Sequence, residues 1–359
     1  MPCELPLRRK IYPHSPGAAI PSALAAACWL LVGAAGAGPA YQDDGDRDSL
    51  LAALGRQDRY LETVRKVEVP FGTGSIPVER LRRTSRAFAS LVRDDWGTPA
   101  FAARLHAEFE TVSAGPTHFT GYYLPRLAAS RAPDATYRFP LYRKPPGSPL
   151  PTHAQIEDEA ALAGKGLEVA WVADEFDRYI LMVQGSGVLR FPDGSESPVN
   201  YDGKNNHPYV SLGKALIADG KLSTASVSIP AIRKYFREHP EEQHGYLLRN
   251  PSYVFFRLQP DGPYGVDGIQ LTAARSIATD KRFWPSGGVA WVSYPKVAAW
   301  KDGIPAGWET GGRFVCDQDT GGAIRGLGRV DMFWGAGEEA AAIAGTLNAT
   351  GSLTYFLVR

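Results

Sequence analysis

The stretch that most constrains this chain reads Asp317-Gln318-Asp319-Thr320-Gly321-Gly322-Ala323-Ile324-Arg325-Gly326-Leu327-Gly328-Arg329-Val330-Asp331-Met332-Phe333-Trp334-Gly335. Two carboxylates, Asp319 and Asp331, stand 12 positions apart, separated mainly by glycine and small residues. A glycine that did nothing would cost roughly 0.5–1 kcal/mol of chain entropy, so a cluster of them points to tight turns or to close approach of backbone to a ligand. A glycine-rich turn ending in Val-Asp-Met-Phe-Trp reads as a flat floor with an acid and aromatic rings beside it. Sugars stack on such rings and need a carboxyl group for chemistry. Asp-Thr-Gly-Gly alone is equally an ordinary turn, where those residues collect for backbone reasons. A phosphate loop is excluded, because the run has neither a Gly-Lys-Ser/Thr ending nor Gly-x-Gly-x-x-Gly spacing. A third acid, Asp280, closes the segment Arg275-Ser276-Ile277-Ala278-Thr279-Asp280.

Composition narrows the class. With 38 Gly and 28 Pro among 359 residues, the chain is turn-rich and expected to be β-dominated. Its length allows two domains, or one large domain and a targeting segment. The 39 basic and 38 acidic residues balance to a net charge of +1, which argues against a nucleic-acid binder needing a basic face. The 8 Trp and 16 Tyr could line a carbohydrate groove, although such rings more often fill a core.

Residues 1–40 read as a signal peptide or membrane anchor. Arg8, Arg9 and Lys10 precede an apolar run from Ala18 to Ala37, and Ala35-Gly36-Ala37 supplies a small-x-small cleavage pattern. A run of that length also suits an uncleaved anchor, and Cys28 offers a site for lipid attachment. Cleavage after Ala37 leaves Cys316 as the single cysteine, so no disulfide is expected in the mature chain. No zinc spacing occurs, and no metal or other cofactor is expected. Cys316 lacks a histidine nearby in sequence and reads as a small buried residue.

After a charged linker over 41–48, helical patterns cover 49–67, 78–91 and 99–109. The texture then turns to short strands: 118–125, 138–142, 168–173, 179–183 and 188–190. Helices follow at 212–218 and 229–238, a strand at 253–258, then alternating strands and Gly/Pro turns. A helix at 337–344 and a strand at 353–358 complete the pattern. Gln184-Gly185-Ser186-Gly187 and the polar, aromatic loop Tyr201–Tyr209 carry amide, hydroxyl and lysine groups suited to sugar hydroxyls and N-acetyl groups. Each taken singly is equally a satisfied polar turn.

Together these stretches resemble the membrane-bound lytic murein transglycosylase A family of peptidoglycan-cleaving enzymes. The resemblance rests on Phe119-Thr120-Gly121-Tyr122-Tyr123, Gln184-Gly185-Ser186-Gly187, Gly203-Lys204-Asn205, Asn250-Pro251-Ser252-Tyr253-Val254-Phe255-Phe256, the 275–280 segment and Asp319 through Asp331. The last also looks like the three-aspartate domain, whose acids would be Asp280, Asp319 and Asp331. The resemblance implies a mainly β fold with flanking helices. A double-psi β-barrel domain (41–129 plus 257–359) would hold a smaller inserted β-rich domain (130–256), with a glycan groove between them.

The reaction so implied cuts the β-1,4 bond between N-acetylmuramic acid and N-acetylglucosamine, leaving a 1,6-anhydro ring. Asp331 would act first as acid, then as base. Apolar Val330, Met332, Phe333 and Trp334 flank it in sequence, and burial among apolar groups keeps an Asp protonated to higher pH. Asp319 and Asp280 are cast as supports. Thr120, Tyr122, Gln184, Ser186, Lys204 and Asn205 are expected to hold substrate, and Arg275 to pair with one of the acids. The expected partners are peptidoglycan glycan strands, met by a monomer in the periplasm or at the outer membrane. Two alternatives stay open: an inverting hydrolase with Asp319 as base, and a glycan-binding barrel without catalysis.

Overall fold

The computed structural model describes residues 41–359 apart from Ala225; the signal, anchor and lipidation expectations lie outside the described residues. Three helices come first. α1 (Arg47–Thr63) starts where the Asp46 carboxylate accepts the Ser49 N–H at 2.7 Å, and it buries Leu50, Ala53, Leu54, Gln57 and Leu61 along one stripe. A hairpin of β1 (Glu68–Phe71) and β2 (Gly74–Pro77) leads into α2 (Val78–Asp95), whose stripe includes Leu81, Phe88, Leu91 and Val92. α3 (Pro99–Glu108) has its proline where the missing N–H costs nothing, and it passes directly into the long β3 (Phe109–Leu124).

The middle of the chain builds one sheet and its helices: β4 (Arg126–Ser130), β5 (Phe139–Tyr142), α4 (His153–Glu157), β6 (Glu168–Val172), α5 (Glu175–Gln184), β7 (Gly187–Arg190), β8 (Glu196–Lys204), α6 (Leu212–Ala218), α7 (Ile229–Glu238), α8 (Pro240–Leu248) and β9 (Val254–Leu258). The six strands lie in the order β5-β6-β4-β7-β8-β9. Their core gathers Leu141, Val172, Phe176, Leu189, Val199, Leu216, Leu247 and Phe255. The rest is β10 (Ser276–Ala278), β11 (Gly288–Lys301), β12 (Ile304–Asp319), β13 (Arg329–Ala336), α9 (Glu338–Thr346) and β14 (Asn348–Val358).

Those late strands and β3 close a six-stranded barrel in the order β10-β12-β11-β14-β3-β13. Two neighbour pairs, β10–β12 and β13–β3, are parallel, and the others are antiparallel. Alternation along each strand sends one row inward. Phe119, Ile277, Ala290, Val292, Val315, Val330, Met332, Leu353 and Tyr355 form that row and are fully buried. The opposite row of β11, β12 and β14 (Val289, Phe314, Cys316, Phe356) packs under α1–α3 against Phe88, Leu91 and Leu105. Each large apolar side chain so buried contributes about 1.5–3 kcal/mol. Cys316 lies wholly inside this layer, and burial pushes its thiol well up.

The β-rich reading with flanking helices holds, with two corrections. The loop expected over Tyr201–Tyr209 begins only after Lys204, because residues 201–204 end β8 and pair with β9. Tyr179–Val183 was expected as a strand and is the second half of α5. A short aromatic and aliphatic run looks the same in a strand and in a buried helix. The decision is made at the ends. The Asp174 side chain caps the first turn by accepting the Asp177 N–H at 2.7 Å, and Gly185 stops the helix in the left-handed conformation at φ 81°.

Candidate active site

Strand register assembles the site. Asp331 on β13 lies opposite Thr120 of β3 on one side and Ala278 of β10 on the other. Ala278 in turn pairs with Asp319 of β12. The two carboxylates are therefore carried two strands apart, with backbones on the order of 10 Å from one another at about 4.8 Å per strand step. A bulge makes this possible. Ile277 pairs with Asp317 but the next residue, Ala278, pairs with Asp319, so β12 holds one extra residue there. Such a bulge re-aims the side chain that follows it. Asp317 stays within the barrel, where Tyr355 Oη and Thr279 Oγ1 both donate to it at 2.6 Å. Asp319 instead turns out to a groove of about 330 Å³ between the barrel wall and the second sheet.

Asp331 and Phe333 face that groove, while Val330 and Met332 point into the barrel core. The Thr120 hydroxyl donates to Asp331 Oδ1 at 2.5 Å, and Arg329 Nη2 donates to the same hydroxyl oxygen at 2.7 Å. Burial raises the Asp331 pKa; the Thr120 hydrogen bond and the Arg329 and His118 charges pull it partly back. The result is an acid biased toward its protonated form, with a donor already seated on one oxygen.

Asp319 is more firmly engaged. Its Oδ1 accepts the Val266 and Thr320 N–H groups at 3.0 and 2.8 Å, and its Oδ2 accepts the Tyr122 hydroxyl at 2.9 Å. Burial nonetheless carries its pKa up to about 6. The Val266 contact depends on Gly265, where a Cβ would stand 2.3 Å from the Gln318 carbonyl and 3.1 Å from Asp319 Oδ1. Asp280 lies behind the glycine loop. Arg282 pairs with it at 2.6 Å, and its Oδ2 also accepts the Gly326 N–H at 2.8 Å, at a glycine with φ +100°. The Arg282 contact above all holds the Asp280 carboxyl far below its usual range. This acid pins the floor of the groove rather than lining it.

Of the residues expected to hold substrate, Tyr122, Gln184, Ser186 and Lys204 line the groove. Gln184 Oε1 accepts the Tyr123 N–H at 3.0 Å, tying the end of α5 to β3. Thr120 touches Asp331. Two expectations need correction. Asn205 is buried at 4 % exposure; its Nδ2 donates to the Pro151 and Pro251 carbonyls, each at 2.9 Å, and its Oδ1 accepts the Tyr253 N–H at 2.9 Å. Its polar atoms are consumed in holding the loop, so it is a turn residue. Arg275 is 1 % exposed and pairs with Asp43 at 2.7 Å rather than with one of the three acids; it also donates to the Phe314 and Asp46 carbonyls at 2.7 and 2.6 Å. It fastens the segment before α1 to the barrel, away from the groove.

Arg325, Arg329, Tyr201, Tyr209 and Met182 also line the groove. Arg329 was findable, because on a strand a residue two before Asp331 shares its face. Arg325 and Met182 gave no comparable signal. At the surface His239, Glu241 and Glu242 stand within ligand distance of one another, but Lys221 Nζ already donates to Glu242 at 2.9 Å and Tyr235 Oη at 2.6 Å.

Residues 118–257 match the MltA specific insert domain and residues 275–357 match the 3D domain. Membrane-bound lytic murein transglycosylase A of Escherichia coli K12 is 36% identical over 244 residues, 66% of this chain and 64% of the relative. The matched stretch thus spans just under two thirds of that protein's length. The Vibrio cholerae serotype O1 protein of the same name is 34% identical over 257 residues, 69% of this chain and 68% of the relative. Among solved structures, a membrane-bound lytic murein transglycosylase from Agrobacterium tumefaciens superposes with a TM-score of 0.75 at 28% identity, covering 88% of this chain and 93% of that one. E. coli MltA with bound chitohexaose gives a TM-score of 0.70 at 27% identity, covering 85% and 89%.

Proposed function

Because this chain belongs to the membrane-bound lytic murein transglycosylase A family, we propose that it cleaves the glycan strands of peptidoglycan by an intramolecular transfer with Asp331 as the one acid–base group. Protonated Asp331 gives its proton to the glycosidic oxygen as the bond from muramoyl C1 breaks. The resulting carboxylate takes the proton of the C6 hydroxyl as that oxygen bonds to C1. The ring closes as a 1,6-anhydro sugar, the acid is restored, and no water is consumed.

The state of the second carboxylate carries this reading. An inverting hydrolase needs a free base aimed at a water molecule, with roughly 6.5–9.5 Å between the two carboxyl groups. Asp319 instead accepts two backbone N–H groups and a tyrosine hydroxyl, which suits a support. Asp280, held by Arg282 and Gly326, would brace the glycine loop. Tyr122, Gln184, Ser186 and Lys204 would hold sugar substituents on both walls of the groove. The chitohexaose bound by the E. coli relative supports a glycan as occupant.

The same reading divides the chain into a barrel domain built from both ends and an inserted domain carrying the second sheet. It takes the barrel as double-psi, which the two parallel pairs in the closed ring support. It puts the protein in the periplasm as a monomer, with residues 1–40 either a cleaved signal peptide or an attachment to the outer membrane. Among the described residues no helix is long and apolar enough to cross a membrane. The deciding experiment digests purified sacculi in water enriched with oxygen-18 and weighs the muropeptides. Unlabelled 1,6-anhydro ends are expected; labelled reducing ends would move the assignment to a hydrolase.

A further inference from the structure

We infer that Arg329 and Thr120 form a positioning pair that fixes which oxygen of Asp331 carries the proton, an inference that rests on the acid–base role proposed above. A threonine hydroxyl has one hydrogen to give, whereas a guanidinium only donates. Arg329 Nη2 donates to Thr120 Oγ1 at 2.7 Å and occupies one lone pair of that oxygen, and the acceptor within reach of its own hydrogen is Asp331 Oδ1 at 2.5 Å. The guanidinium is tethered in turn: its Nη1 donates to the Val330 carbonyl at 2.5 Å and to the His118 carbonyl at 3.4 Å. Two hydrogens cannot share a separation of 2.5 Å, so the proton of neutral Asp331 belongs on Oδ2. A carboxylic acid in solution exchanges its proton between two equivalent oxygens. Here Thr120 holds one oxygen as the acceptor, and the other is the donor to the groove.

The pair also sets when Asp331 titrates. The groups that face it are Arg329 on β13, His118 and Tyr122 on β3, Asp319 on β12, and Lys204 and Arg325 among the other lining residues of the groove, while β10 contributes only Ala278. Donation by Thr120 and the Arg329 charge both favour the ionised carboxylate, so removing either raises the titration midpoint.

The test uses the full-length protein and the variants Thr120→Val, Thr120→Ser, Arg329→Met and the Val/Met double. Carboxyl carbon NMR titration, with Asp331→Asn as the blank that identifies the signal, reads the midpoint without reference to activity. Thr120→Val keeps the shape and loses the hydroxyl. Its midpoint should rise by about one pH unit, the basic limb of the pH–rate profile on sacculi should move up with it, and turnover should fall about tenfold. Arg329→Met should move both readouts in the same direction. Thr120→Ser should recover most of what Val loses. In the double variant the midpoint should rise further, because the Arg329 charge acts on Asp331 directly, while turnover should be no lower than in Thr120→Val alone, since placement of the proton runs through Thr120. Midpoints unmoved in both single variants, or turnover losses that multiply in the double, would overturn the pair. So would a Thr120→Val defect that tracks only its loss of thermal stability. If the parent released no 1,6-anhydro ends, the proposed reaction would fail while the titration still reported on the pair.

Discussion

Asp319 and Asp331 are the same residue type in one groove, and their neighbours give them different work. Asp331 has a donor on one oxygen only, so replacing it by Asn removes the proton that catalysis moves while leaving the shape. Turnover on sacculi should fall by roughly 10²–10⁴-fold with glycan binding retained; a binding module without chemistry would have no turnover to lose. Asp319 is expected to show itself in stability instead. Burial lifts its pKa from 3.8 to about 6. A carboxyl whose pKa is higher folded than unfolded binds its proton more tightly in the folded state, so folding weakens as pH rises through that window and levels off above it. Asp280 has the opposite sign. Its depressed pKa gives stability that is present above the unfolded value and is lost as pH falls below it. Asp319→Asn keeps an acceptor for Val266 and Thr320, so the downward slope of denaturation midpoints from pH 3.8 to about 6 should become shallower, leaving the part that other raised carboxyls such as Asp331 contribute. An unchanged slope in that variant would place the titrating group elsewhere.

Elements carry these residues to the groove, and here the sequence was legible in part. The barrel strand with Asp331 was covered only by the general expectation of strands and turns in the tail: Arg329 and Asp331 alternate with the core row Val330 and Met332, but apolar Phe333 on the groove face breaks the pattern. Helices over 212–218 and 229–238 follow the expected bounds, since serine caps stand before both: Ser211 accepts from Lys214 and Ser228 from Ala231. The bulge before Asp319 left no trace in pattern, because it exists only against its partner β10. The same holds for α5, where Asp174 and Gly185 outweigh a β-prone run. That argument is testable. Asp174→Ala removes the cap that starts α5, and with it about 1 kcal/mol of local stability. Amide exchange within α5 should speed up roughly fivefold, and Gln184 should hold Tyr123 less well. Exchange at the parent rate would mean that tertiary packing alone holds the helix.

At the scale of the whole molecule, what could not be read was which distant segments meet. Arg275 sits five residues before Asp280 in sequence and was expected beside the acids, yet a three-residue strand carries its side chain to the opposite side, where Asp43 takes it. Pairing across more than 200 positions is decided by packing and leaves no local mark. The groove is itself such a product. One wall comes from the barrel through Tyr122, Ile324, Asp331 and Phe333, and the other from the second sheet and its loops through Gln184, Ser186, Lys204 and Tyr209. A glycan that fills it touches both walls at once, so binding should stabilise them jointly. The inactive Asp331→Asn protein allows this to be measured without turnover, with chitohexaose as the probe. A ligand at a hundred times its Kd adds about 2.7 kcal/mol to the folded state, which a thermal scan resolves. Lys204→Ala on one wall and Phe333→Ala on the other should each shrink the ligand-induced shift, whatever they do to the unliganded midpoint. If the glycan were gripped by the barrel wall alone, Lys204→Ala would leave the shift as large as before, and the second sheet would be a cover rather than half of the site.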